Sequence, residues 1–148
     1  MTPRRYTELF FLDEVTALAA GHRPCFECQR KRAEGFLITF AKLNGEKTRP
    51  FANDFDKLAH AARLQGRKKR TVQRTIDQLP DGTAIIHDGE VAAIHSAYLL
   101  HWTFSGYTKR LPRPSSGLAK VLTPEPFIEI LAAGFTPAFH PSADTLSA

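Results

Sequence analysis

The apolar residues of this chain change their spacing about halfway along it, and that change restricts the fold more than any other feature. From Val15 to Leu79 they recur every three or four positions, as on a buried helix face; from Thr83 onward they fall mainly into short strand-like runs. Asp13 suits an N-cap, followed by Val15, Leu18 and Ala19, and Gly21 fits the left-handed position just past a helix end. A longer helix is predicted from about Phe26 to Leu43, carrying Ala33, Phe36, Leu37, Phe40 and Ala41 inward and stopping at Asn44-Gly45. Asp54 is predicted to cap a further helix with Phe55, Leu58, Ala59 and Ala62 on its apolar face. Val72, Ile76 and Leu79 suggest a short basic helix ended by Pro80-Asp81-Gly82.

The second half reads as strands. Thr83 to His87 and Glu90 to Ile94 flank Asp88-Gly89, the dipeptide that tolerates the positive φ of a two-residue hairpin turn. Strands are also predicted at Tyr6 to Leu12, Tyr98 to Phe104 and Ala119 to Leu122. Thr123-Pro124 supplies an N-cap and first position for a last helix, with Phe127, Ile130 and Leu131 inward and Gly134 at its end. The expected class is therefore α+β: N-terminal helices, then a small antiparallel sheet and a C-terminal helix, in a single domain over residues 1–148 with a hairpin-rich part at 75–148. Leu18 to Phe26 and Leu131 to Phe139 echo one another (LAAGHRPCF and LAAGFTPAF), which reads as two helix ends built the same way.

At 148 residues the chain is long enough to bury a core without disulfides. No apolar run approaches the ~18 residues of a membrane span, and the short stretch Leu9 to Leu12 is too brief for a signal peptide. A cytoplasmic protein with no membrane association is expected. The net charge of +5 is uneven. Residues 1–74 hold 16 basic and 8 acidic side chains, a surplus of +8, whereas residues 75–148 hold 4 and 7, a balance of −3. Two basic runs stand out: Arg30-Lys31-Arg32, and Arg67-Lys68-Lys69-Arg70 with Arg63 and Arg74 beside it. Such runs are often solvated helix faces or loops. Two in one half, with Arg23, favour a polyanionic partner bound by counterion release.

The only cysteines, Cys25 and Cys28, stand at the i and i+3 spacing that lets two thiolates reach one metal ion. The same pattern at a helix start also suits a redox-active thiol, although the residues before it read as helix and turn rather than strand. The segment Phe10-Phe11-Leu12-Asp13-Glu14 and then Ala17 to Cys28 (ALAAGHRPCFEC) resembles the second half of the zinc-binding domain of Ada-type DNA-repair proteins, over about residues 6–30. The resemblance implies that Cys25 and Cys28 are zinc ligands and that Arg23 shapes the loop or meets phosphate. It also implies a DNA-binding role related to repair. The family's first cysteine pair, which includes its methyl acceptor, lies upstream of the matching stretch and has no counterpart here, so methyl transfer to this chain is not expected. His22 is the nearest candidate for a third ligand, and a Cys₄ site shared between two chains would make a homodimer.

The other histidines are His60, His87, His95, His101 and His140. His60 stands four residues after Asp56 and three before Arg63, a spacing that puts all three on one helix face. This raises an alternative, a metal-assisted hydrolase or nuclease using His60 and Asp56. A further alternative is a structural or partner-binding protein with a degraded metal site. Phe36, Phe40, Phe51 and Phe55 are expected in the core rather than on a base-stacking surface.

Overall fold

The computed structural model describes residues 12–24, 26, 29–65, 68, 69, 71–103, 105–144 and 146, and for residues 63–65, 68 and 69 it describes the backbone alone. Helices α1 (Glu14–Ala19), α2 (Arg30–Leu43) and α3 (Ala52–Arg63) come first. A two-stranded antiparallel ribbon follows, β1 (Leu64–Gln65) with β2 (Lys68–Lys69). Next come β3 (Val72–Thr75), a 3₁₀ turn at Ile76–Gln78, β4 (Ala84–His87), β5 (Glu90–His95), β6 (Tyr98–Thr103), β7 (Gly106–Pro112) and β8 (Leu118–Val121). The chain then enters α4 (Glu125–Ala132) and a 3₁₀ turn at Pro141–Asp144. This is the expected α+β order. Among the described residues no helix is long and apolar enough to cross a membrane.

The main sheet has six antiparallel strands in the order β3-β8-β4-β5-β6-β7. Strands β4 to β7 form a meander, whereas β8 inserts between β3 and β4. The Asp88-Gly89 turn forms as expected: both residues have positive φ, 52° and 78°, and His87 pairs with Glu90 across it.

Three apolar clusters hold these elements together. Ile85, Ala92, Ile94, Leu99, Ala119 and Val121 cover one sheet face and receive Ile76, Leu79 and Ile128. The opposite face brings Ala93, Leu100 and Tyr107 against Val15 and Ala143. The third cluster joins the helices through Leu18, Phe36, Leu37, Phe55, Phe127, Ile130 and Leu131. Phe36 is fully buried at its centre, with the Phe55, Phe127 and Phe135 rings edge-on at 5.2–5.5 Å, the arrangement that aromatic quadrupoles favour. Helix α4 therefore serves two clusters at once, with Ile128 on the sheet and Phe127, Ile130 and Leu131 among the helices.

The echoed sequences end their helices identically. Gly21 and Gly134 both have positive φ, and in each case the glycine N–H reaches back three residues and the next N–H five (His22 to Ala17 O, 2.9 Å; Phe135 to Ile130 O, 3.3 Å). This is the paired bonding of a glycine-terminated helix, which satisfies carbonyls left over in the last turn.

Several expectations are corrected. Helix α2 begins at Arg30 rather than near Phe26, so it starts beyond both cysteines in the chain. Helix α3 starts at Ala52, which puts Asp54 in its first turn rather than at the cap. Phe51 and Leu58 are exposed (79% and 44%), not in the core. Residues 72–79 form a strand and a 3₁₀ turn in place of a helix. The N-cap of α4 is Pro124, because Thr123 is engaged elsewhere: its hydroxyl accepts the Ala84 N–H at 2.9 Å. The strand expected at Tyr6 to Leu12 lies, apart from Leu12, outside the described residues, and Leu12 itself is not in a strand.

Candidate functional site

The loop that follows α1 is anchored by its arginine. Arg23 donates from Nε and Nη2 to both carboxylate oxygens of Asp56 on α3 (2.9 and 3.0 Å) and from Nη1 to the Pro24 carbonyl (2.8 Å). A bidentate guanidinium–carboxylate pair fixes orientation as well as distance. The Phe26 ring lies 5.2 Å from the Arg23 guanidinium and 5.0 Å from that of Arg49. The loop is thus tied to α3, and its Phe26 ring meets two cations, its own Arg23 and Arg49 from the segment between α2 and α3. Asp56 is thereby committed to Arg23. It orients the loop, and His60, which is exposed, sits one turn further along the same helix.

The first basic run divides by function. Arg32 faces inward: it pairs with Glu14 of α1, donates to the Thr136 carbonyl at 2.8 Å and lies 5.0 Å from the Phe135 ring. Glu14 in turn accepts the Ala138 N–H at 2.7 Å. Arg30 pairs with Glu34 one turn along α2, an exposed contact of little energetic weight. Lys31 is exposed, as are Lys42, Lys47 and Lys57, and none of the four has an ion-pair partner among the described residues. The second basic run lies at the ribbon. Lys68 and Lys69 form β2, paired with Gln65 and Leu64, which directly continue α3. Arg67 and Arg70 lie outside the described residues, and the Arg63 side chain is likewise not described.

Of the expected metal ligands, Cys25 and Cys28 lie outside the described residues. His22 is partly buried, and its N–H closes α1 on the Ala17 carbonyl. Among the described residues no group of three or more His, Cys, Asp or Glu side chains converges as a preformed metal cluster.

Two side-chain groupings escape sequence reasoning altogether. One joins Asp13 and Tyr107, 94 residues apart, through a phenol–carboxylate hydrogen bond of 2.7 Å. Burial, then the charge and hydrogen bond of Asp13, push the Tyr107 phenol far above the usual tyrosine range, so it stays a donor throughout the accessible pH range. The other lies on the sheet. His101 donates from Nδ1 to a Glu90 carboxylate oxygen at 2.6 Å, and His87 Nδ1 stands 3.4 Å from His101 Nε2. Only the strand register brings these residues together, because His87 pairs with Glu90 and His101 with Ala92.

Compared with known proteins, the chain matches no family model, no curated protein and no solved structure.

Proposed function

We propose that this chain binds nucleic acid, most directly DNA, through the basic surface of its first half. The observation that carries this reading is the lysine set of α2, α3 and the loop between them, exposed and without ion-pair partners among the described residues; Lys68 and Lys69 follow in the ribbon that continues α3. Unneutralised cations gain most from phosphate, because each contact releases a condensed counterion. A two-stranded antiparallel ribbon is also a shape that the major groove admits. Cys25 and Cys28, with His22, are the residues that would hold zinc in the manner the Ada-type resemblance implies. Such an ion would brace the loop whose Arg23 and Phe26 already pack toward α3.

The hydrolase alternative built on His60 and Asp56 gains no support, since both Asp56 carboxylate oxygens are taken by Arg23. Fluorescence anisotropy with short duplex DNA tests the binding reading. The wild-type chain should bind with an affinity that falls steeply with salt. The double reversal Lys68→Glu with Lys69→Glu should weaken binding at least tenfold for every sequence, and flatten the log–log salt slope by about two. A wild-type chain with no affinity for DNA even at low salt ends this reading.

A further inference from the structure

The histidine–glutamate group on the sheet is unrelated to the basic surface and has the geometry of a different chemistry. His87, Glu90 and His101 come from three adjacent strands, β4, β5 and β6. The register puts all three side chains on one face, with the small Ala92 directly opposite His101. His101 is nearly enclosed, its side chain 6% exposed, whereas His87 is 24% exposed and opens toward solvent. Asp88, in the hairpin turn, has a carboxylate oxygen 3.7 Å from His87 Nδ1 and a side chain that is 81% exposed and able to turn.

The spacing of the two imidazoles is informative. Nitrogen ligands about 2.05 Å from a tetrahedral ion lie about 3.3 Å from each other. His87 Nδ1 and His101 Nε2 are 3.4 Å apart already. The far nitrogen of His101 is held by Glu90 at 2.6 Å, so its Nδ1 carries the proton and its Nε2 lone pair is directed at His87. A carboxylate behind an imidazole is the usual outer support of a metal-bound histidine; it fixes the tautomer and raises the basicity of the ligating nitrogen. Two imidazoles select late first-row divalent ions over magnesium or calcium, which prefer oxygen.

We propose that His87 and His101, completed by the Asp88 carboxylate and water, bind a late first-row divalent metal ion such as zinc or nickel, with Glu90 as the positioning residue. In the bound state His87 ligates through Nδ1 with its proton on Nε2 of the same ring, and His101 ligates through Nε2, the ion lying to one side of the line that joins the two nitrogens. Asp88 reaches the ion by rotation of its exposed side chain. The site is thus assembled by the metal on a two-histidine platform.

Zinc titration of the full chain against a chromophoric competing chelator, alongside the His87→Ala variant, tests the site. Both proteins keep Cys25 and Cys28, so any metal held there cancels in the comparison. The wild-type chain should bind one equivalent more than His87→Ala in the micromolar range of free zinc. Glu90→Gln should keep that equivalent and weaken it ten- to a hundredfold. Ring ¹⁵N spectra of the wild-type chain should show zinc shifting His87 and His101 and leaving His60 in place. Equal stoichiometry and affinity in wild type and a folded His87→Ala variant overturn the proposal. If that variant does not fold, the ring spectra decide alone, and unmoved His87 and His101 signals overturn it. These readouts are indifferent to nucleic-acid binding.

Discussion

Asp13→Ala should lower the unfolding free energy by about 3 kcal/mol, because one carboxylate closes three separate contacts. Its Oδ1 caps α1 by accepting the Thr16 N–H at 3.0 Å, while the Thr16 hydroxyl accepts the Asp13 N–H at 3.1 Å. Its Oδ2 accepts from the Tyr107 phenol at 2.7 Å and from the His140 N–H at 2.8 Å. Loss of a cap costs about 1 kcal/mol. A phenol left without a partner in a mostly apolar cluster, and a stranded peptide N–H, add about 1–3 kcal/mol between them on the usual scale for buried polar groups. Urea denaturation of the wild type and the variant measures the sum. The partner variant Tyr107→Phe removes the phenol instead of orphaning it and should cost far less. The double variant should therefore be more stable than the two single effects added together. A loss under 1 kcal/mol for Asp13→Ala would show that α1, β7 and the C-terminal segment are held independently of this carboxylate.

The second large effect is expected at Arg113, just past β7. Its guanidinium donates to the Ile76 carbonyl (2.7 Å from Nη2 and 3.2 Å from Nε), to the Leu79 carbonyl at 2.6 Å and to the Ser96 carbonyl at 3.3 Å. The Ile76–Leu79 segment leaves edge strand β3, while Arg113 leaves the opposite edge strand β7. Six strands laid flat would separate those edges by about 24 Å. The segment instead places Ile76 and Leu79 over the sheet face, and Arg113 fastens it there. Arg113→Ala should cost about 3 kcal/mol, since hydrogen bonds from a charged donor to backbone carbonyls are among the stronger kind. Arg113→Lys should recover little of it, because an ammonium group lacks the planar fork that reaches three carbonyls together. Thermal melts give the magnitude. Hydrogen exchange at Leu79 and Gly82 should accelerate selectively, and unchanged exchange there would remove Arg113 from this role.

What the sequence revealed and what it hid follow from the range of the interactions involved. The Asp88-Gly89 hairpin, the Asp13 cap and the two glycine helix ends were readable because each is set by residues within five positions of one another. The run at 72–79 was misread because Val72, Ile76 and Leu79 fit a helical face equally well. What decides the matter is the pairing of Val72 with Val121, far along the chain. Phe51 and Leu58 share the spacing of Phe55, yet lie beyond the edge of the cluster that Phe55 fills. Basic residues 30–32 gave the correct charge and no hint of its division, since Arg32 finds Glu14 and Thr136 only in the folded chain. For the same reason the His87–His101 contact could not be seen: fourteen residues of spacing carry no pattern, and the register of β4, β5 and β6 supplies it.

The placement of β8 between β3 and β4 has a consequence in time as well as in space. Strands β4 to β7 pair with their immediate successors, so a ribosome has delivered everything that meander needs once Pro112 has emerged. Strand β3, made earlier, must then wait for Leu118–Val121 before its backbone finds a partner. Local hairpins close quickly and long-range pairings slowly. The oldest strand of the sheet is therefore the last to be incorporated, and until then it stays an open edge beside the most basic stretch of the chain.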